Sequence, residues 1–335
     1  MLKLCLDNDL IVFALLGCIY AWKKPLKETL KPLMQAHEIG LLTGDLEFSA
    51  LNANLYCFNK MWSGSTLGEV EADVFKFCNW MVARQQDSAL TIAKPCLHLI
   101  HALMGKSPES SEIRKFGRFR DDAEKKSNFI VTASVCKEQM ILDYLFGRYR
   151  EAADKFIEYQ KGAPPNFSVV QALCFKGLVC LALARQGIQR RKNIRTARLA
   201  IKRLGAYAQK SPHNYSDKLF LLEGELASVL GHADEAYQKF TCAIGMAAAS
   251  NFSAIHALAL ERVGWHVFRQ PNADYSLAET YFDEACQRYE EWGAYAKVEH
   301  LKSEISSLFA PMKLGLATTG MDLLPTDHTS SGSIH

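Results

Sequence analysis

Two histidines, three residues apart, are the side chains whose type and spacing come closest to a metal site. His98 and His101 follow Cys96 in an apolar stretch. On a helix, residues three apart lie on one face, as two ligands of one metal ion must. Cys96 would point elsewhere on the same helix, and no third or fourth ligand is visible nearby. Packed or solvent-facing histidines are the favoured interpretation, so no metal, cofactor or catalytic residue is predicted.

A fragment that resembles a phosphate-binding loop is incomplete. Gly105-Lys106-Ser107 matches the end of such a loop, but the loop needs a glycine five residues earlier, where Ile100 stands. The chain also lacks an HExxH zinc motif, a dinucleotide-binding glycine set and a kinase catalytic-loop motif. The motifs therefore predict no enzyme activity.

The clearest charge feature is a basic segment in the second half of the chain. Residues 185–203 contain eight Lys or Arg and no acid, although the net charge of the chain is only +3. A solvated outer helix face is the simplest interpretation. The alternative is a docking surface for an acidic protein segment, RNA or anionic lipid, with RNA least favoured because no aromatic residues alternate with the cations. Four of the cations, which we call the basic stripe, share one helix face: Arg191, Arg195, Arg198 and Lys202.

Helices are the elements that would position these side chains. The sequence is 49% hydrophobic and 22% charged, which is typical of a folded chain. It has 20 Gly and 10 Pro among 335 residues, fewer turn formers than average. Apolar residues recur at helical spacing almost throughout, whereas the alternation typical of strands is hard to find. An all-α fold is predicted.

An internal repeat predicts how the helices are arranged. After Gly147 and again after Gly231, an Ala follows five residues later, an aromatic four residues after that, and a further core residue three later. Glycine ends one helix, the small Ala admits the next helix closely, and the aromatic fills the groove between them. The four copies are Ala152-Phe156-Tyr159, Ala197-Ile201-Leu204, Ala236-Phe240-Ala243 and Ala278-Phe282-Ala285.

The repeat length indicates the class of array. The Ala positions are 45, 39 and 42 residues apart. This favours a superhelical array of antiparallel helix pairs, a tetratricopeptide-like α-solenoid with a period of about 42 residues. A globular helical bundle with accidental periodicity is the alternative.

Composition divides the chain into four regions. N-terminal helical repeats, expected to be truncated at their start, occupy 1–106, and a loop-rich connection occupies 107–128. Tetratricopeptide-like helix pairs follow at 129–309. A tail or linker rich in Ser, Thr and Gly, expected to be disordered, occupies 310–335.

A short apolar run and scattered cysteines bear on the compartment. Residues 10–22 carry no charge, but a helix of that length rises about 20 Å, short of a bilayer core of about 30 Å. A buried helix is predicted there, with a membrane anchor or leader as the alternative. Ten cysteines without a CxxC pair indicate reduced thiols. A cytoplasmic protein without a membrane span is predicted.

Short motifs spread over residues 18–309 point to one protein family. They are Trp22-Lys23-Lys24-Pro25-Leu26, Gly44-Asp45-Leu46-Glu47-Phe48, Tyr56-Cys57, Ser63-Gly64, Tyr144-Leu145-Phe146-Gly147, Ser211-Pro212-His213-Asn214-Tyr215, Leu222-Glu223-Gly224-Glu225-Leu226 and, most specific, Tyr289-Glu290-Glu291-Trp292-Gly293-Ala294-Tyr295-Ala296-Lys297-Val298. In order and spacing they resemble the helical region of large hybrid signalling proteins. Those proteins join a serine/threonine-kinase-like domain, an AAA-type ATPase, this helical region, a GAF sensor domain and a histidine kinase.

The resemblance implies a regulatory role for the chain. It implies a segment that couples an ATPase switch to a sensor histidine kinase. The catalytic domains of the family are absent from this sequence, so no catalytic residue is carried over. The family's helical region begins further upstream than Met1, so the chain looks like one segment of a longer design, or the product of a gene that lost its neighbours.

Two functions are therefore kept. The first is a non-catalytic protein-interaction and regulatory scaffold, whose partner is a protein: neighbouring signalling domains in cis or an acidic segment in trans, with no nucleic acid expected. The second is a helical sensor or enzyme that binds a small molecule or metal in a pocket between helices, near His98 and His101 or near His256 and His266.

Overall fold

Within residues 19–106, 129–159 and 168–313, which the computed structural model describes, the chain forms helices and no strand. Two short 3-10 helices, Tyr20–Trp22 and Leu26–Thr29, precede thirteen α-helices. The α-helices are α1 Leu30–Thr43, α2 Leu46–Met61, α3 Leu67–Ala83, α4 Asp87–Met104, α5 Phe129–Leu145, α6 Tyr149–Tyr159, α7 Ser168–Arg185, α8 Arg190–Ala208, α9 Pro212–Leu230, α10 Ala233–Ala249, α11 Ser253–Phe268, α12 Tyr275–Trp292 and α13 Tyr295–Lys313.

The helices pack in sequential pairs. The closest pairs are α5 with α6, α7 with α8, α9 with α10 and α11 with α12, each joined by a short turn that makes the two helices antiparallel. Gly147 and Gly231 lie in two of these turns with φ of 77° and 87°, a left-handed conformation that favours glycine. The first helices also contact each other, α5 with α7, α7 with α9 and α9 with α11. They form the inner row of the array, and the second helices form its outer row.

The repeat residues occupy the contact between the helices of a pair. All four repeat alanines are fully buried, and so are Phe240 and Phe282. A Cβ on Gly224 would lie 2.9 Å from the ring of Phe240, and a Cβ on Gly264 would lie 2.8 Å from the ring of Phe282. The predicted filling of the groove by an aromatic is therefore confirmed in two successive pairs, and the structure adds that the ring packs on a glycine of the first helix.

We expect Gly224→Ala to lower the free energy of unfolding by about 1 kcal/mol, because the buried ring of Phe240 has to move to admit the methyl group. Gly245→Ala on α10 is the matched control, since a Cβ at this position would meet nothing within 4 Å. Alanine there should stabilise the helix by about 0.5–1 kcal/mol. Urea denaturation of both variants checks the pair. If both substitutions changed the free energy of unfolding by the same amount in the same direction, the packing assigned to Gly224 would be wrong.

The N-terminal helices and the helix pairs share one core. A single hydrophobic cluster includes Ala21 at one end and Phe309 at the other. Helix α4 contacts both α5 and α13, so the first and last parts of the array meet. The predicted connection at 107–128 lies outside the described residues. Helix α13 continues to Lys313, past the boundary predicted at 309, and the rest of the predicted tail is also outside the described residues.

The structure describes only the end of the apolar run at 10–22, where a buried helix is predicted. Of the apolar run at 10–22, Tyr20–Trp22 forms a 3-10 helix, and residues before Ile19 are not described. No helix in the described ranges combines the length and apolarity needed to cross a membrane.

The described cysteines are free thiols. Burial raises the pKa of Cys174 to about 12 and that of Cys180 to about 11, which suppresses their thiolate chemistry.

Candidate functional site

The basic stripe lies on the outer face of α8. The opposite face of this helix is apolar, with Ile194, Ala197 and Leu204 buried, and α8 packs against α7 and α9. This burial fixes the rotation of the helix. It leaves the four cations of the stripe exposed, as the spacing predicts: Arg191, Arg195, Arg198 and Lys202.

The charge of the stripe is not neutralised by the parts of the chain that the structure describes. No member of the stripe forms an ion pair with a described residue. Glu223, an acid on the adjacent α9, already forms an ion pair with Lys239 at 2.7 Å. Leu199 lies between the cations and is 58% exposed, which adds an apolar contact point to the surface. A stripe of this kind suits an acidic partner that also offers apolar side chains.

A buried ion network joins three inner helices. Glu225 on α9 accepts hydrogen bonds from Arg262 on α11 and from Arg185 on α7, the latter at 2.9 Å. Burial by itself would raise the pKa of Glu225, but the two guanidinium groups outweigh it and lower the pKa to about 2. Arg185 also reaches Ser228, whose hydroxyl lies 3.0 Å from the Nδ1 atom of His266. The network holds successive pairs in register.

A second buried acid joins α11, α12 and α13. Glu261 accepts a hydrogen bond of 2.8 Å from the hydroxyl of Tyr289 and lies 3.1 Å from the ammonium of Lys297. All three side chains are buried. Burial, with the nearby Glu261 carboxylate, raises the pKa of Tyr289 well above its usual value. Tyr289 and Lys297 both belong to the motif at 289–298, so this motif supplies structural contacts.

The two histidines of the candidate metal site have different environments. His98 is exposed, whereas His101 is 1% exposed and its Nε2 atom lies 2.6 Å from a carboxylate oxygen of Glu71. Lys106 binds the same carboxylate at 2.6 Å. Gly105 has a φ of 76° and ends α4, so the glycine and lysine of the phosphate-loop fragment act as a helix cap and an ion-pair partner. Among the described residues, no group of three or more His, Cys, Asp or Glu side chains is placed to hold a metal ion.

Asn214, at the start of α9, binds the segment before α1. Its side-chain oxygen accepts a hydrogen bond of 3.0 Å from the amide of Leu26, and its Nδ2 atom donates to the carbonyls of Ala21 and Lys24 at 2.7 Å each. The hydroxyl of Tyr215 donates to the Ala21 carbonyl at 2.9 Å. Asn214 is 1% exposed, so its bonds to Leu26 and Ala21 are shielded from water, whereas the bond to Lys24 is partly buried.

Two further motif residues, Trp292 and Gly64, contact other residues at the same junction between the N-terminal helices and the helix pairs. The ring of Trp62 lies 6.4 Å from that of Trp292 and 6.3 Å from that of Phe175. Gly64, with a φ of 97°, passes so close to Asn251 that a Cβ there would lie 2.9 Å from the Asn251 Cβ. Gly64 and Trp292, like Asn214 and Tyr215, belong to the motifs that carry the family resemblance, and these four join the two parts of the chain.

A surface pocket of about 420 Å³ also lies at this junction. Two of its lining side chains, Arg288 and Glu291, are joined to each other at 2.5 Å. His256 lines the pocket as well, and burial, with the nearby Arg288, lowers its pKa. His266, the other histidine of the predicted small-molecule alternative, belongs instead to the Glu225 network, so the structure does not bring the two histidines into one site.

Comparison with known proteins adds no relative. A scan against protein-family models, a search of curated proteins and a search of solved structures found no significant match to this chain. The geometry therefore carries the functional conclusion.

Sequence reasoning did not identify the buried networks or the role of Asn214. A signal for the networks exists, because Glu261 and Arg262 interrupt an apolar helical run in α11, and buried charges in such a run need partners. Nothing in the sequence near Asn214 indicates that its partners lie about 190 residues away, since that contact depends on the closure of the array.

Proposed function

We propose that this chain is a non-catalytic protein-interaction and regulatory scaffold, built from tetratricopeptide-like helix pairs, and that the basic stripe docks an acidic protein segment. The observation that carries the proposal is a row of four exposed cations, without a described acidic partner, on the outer face of α8. Successive first helices of the pairs start at Phe129, Ser168, Pro212 and Ser253, which is compatible with a period near 42 residues. The free thiols, most of them buried, support a reduced, cytoplasmic setting.

Binding of a fluorescein-labelled Glu-rich peptide tests the docking proposal. Changing the four cations of the basic stripe to Glu should weaken binding at least about tenfold, because attraction becomes repulsion. The helix signal in circular dichroism should stay unchanged, since the stripe is exposed. A fluorescence anisotropy titration measures the affinity.

Controls separate the stripe from net charge. Reversing four exposed cations in the N-terminal part of the chain changes the net charge equally and should leave peptide affinity within about twofold; these are Lys23, Lys27, Lys31 and Arg84. Equal losses in both variants would contradict a specific docking surface. Single-stranded RNA that binds as tightly as the peptide would contradict the choice of a protein partner.

The regulatory part of the proposal rests on the family resemblance. It places the scaffold between an ATPase switch and a sensor kinase, with neighbouring domains as partners in cis. A transcript that reads unbroken into both kinds of domain would support this arrangement. A transcript with stop codons at both ends of this frame would contradict the cis arrangement and leave the acidic segment in trans as the partner.

A further inference from the structure

Two outer helices of the array, α8 and α12, carry opposite charges. Helix α8 has seven Lys or Arg and no acid, whereas α12, two pairs further along, has five acids and one Arg. Helix α10 lies between them in the outer row. One surface of the chain is therefore basic at one end and acidic at the other.

Three acids of α12 are as little neutralised as the four cations of the basic stripe. Asp283, Glu284 and Glu290, which we call the acidic face, are exposed, and in the described ranges none of them forms an ion pair. The single arginine of the helix, Arg288, is joined to Glu291. The acidic face spans eight residues, or about 10 Å of helix, and the basic stripe about 16 Å. The two surfaces are comparable in length and opposite in sign.

Helix α10 permits close approach between the two charged surfaces. Residues 240–249 contain no charge. Small side chains are exposed along this half of the helix, and a Cβ on Gly245 would meet nothing within 4 Å. These exposed residues include Thr241, Cys242, Gly245 and Ala248.

We infer that the basic stripe of one copy binds the acidic face of a second copy, in a two-fold symmetric dimer with α10 at the axis. A two-fold axis through the middle helix of the row places each α8 on the partner's α12. The same contact between a basic stripe and an acidic face therefore forms twice in the dimer. No other partner is needed to neutralise them. The inference rests on the proposed function, since it names the acidic partner of the same stripe.

Sedimentation velocity of the full chain tests the dimer. The chain should sediment as a dimer at about 0.1 M salt, where the Debye length is about 10 Å, and dissociate at about 1 M, where it is about 3 Å. Reversing the basic stripe to Glu, or the acidic face to Lys, should weaken self-association about a hundredfold or more, because like charges then face each other. A wild-type chain that stays monomeric at the lower salt would overturn the inference.

Mixing the two reversed variants gives the sharper result. In the mixture an all-acidic surface meets an all-basic surface, so a heterodimer should form although each variant alone is monomeric. A chain that carries both reversals should regain the homodimer. Loss of self-association in every combination would show that the surfaces act separately and overturn the inference.

One variant separates this inference from the proposed function. The chain with the acidic face changed to Lys keeps the basic stripe but has no acidic partner copy. If it binds the Glu-rich peptide while the wild type never dimerises, the docking proposal stands and the dimer fails. If the wild type dimerises but this variant binds no peptide, the stripe is specific for the second copy, and docking of other acidic segments fails.

Discussion

Replacing Asn214 with alanine should lower the free energy of unfolding by about 3 kcal/mol. The substitution leaves the buried amide of Leu26 and the partly buried carbonyl of Lys24 without their side-chain partner, and a buried group without its partner costs about 1–3 kcal/mol. The carbonyl of Ala21 keeps its bond from Tyr215. Urea denaturation measures the loss. Hydrogen exchange at the Leu26 amide should accelerate more than exchange in α11, because the segment is released locally before the array unfolds.

Tyr215→Phe is the matched comparison for this variant. It removes one hydroxyl that donates to the same segment and should cost about 1 kcal/mol. The aromatic contact with Trp22, at 5.6 Å between ring centroids, remains in this variant. If Asn214→Ala cost no more than Tyr215→Phe, or if Leu26 exchange were unchanged, Asn214 would not be the residue that holds the N-terminal segment.

Replacing Glu225 with glutamine should be at least as damaging, at about 3–5 kcal/mol. The change removes the negative charge between Arg185 and Arg262 and leaves buried guanidinium groups without compensation. Glu223→Gln is the control on the same helix. Its ion pair with Lys239 is partly exposed, so its loss should cost no more than about 1 kcal/mol. Equal costs would contradict the role assigned to the network.

The same residue predicts an acid dependence of stability. The pKa of Glu225 is lowered from 4.5 to about 2 in the folded protein. Its contribution is therefore complete above the unfolded value and is lost as the pH falls from 4.5 through 2. At about 1.4 kcal/mol for each unit, the loss is about 3 kcal/mol. Urea midpoints between pH 6 and pH 3, at about unit intervals, should fall more steeply for the wild type than for Glu225→Gln. Parallel curves would contradict the lowered pKa.

The local packing of a pair was predictable from sequence because it depends on near neighbours. Gly231, Ala236 and Phe240 stand at spacings that already specify a helix end, a close approach and a groove filler. The face that α8 turns toward the core was predictable for the same reason, because its apolar residues recur at helical spacing. The histidines illustrate the limit of this reasoning. Spacing placed His98 and His101 on one side of a helix, but Glu71, on another helix, engages only His101.

The sequence by itself determined the all-helical class, the paired packing and the exposure of the basic stripe. Each of these follows from residues within one helix or one turn, where periodicity maps directly onto a face. Only the tertiary structure decided that Asn214 binds the segment at 21–26, that Glu225 lies between two arginines, and that the acidic face shares an outer surface with the basic stripe. The hydrogen bonds of Glu225 and Asn214 join residues that are from about 40 to 190 positions apart in the sequence. They depend on how many pairs stack and how far the array closes, which no local pattern records.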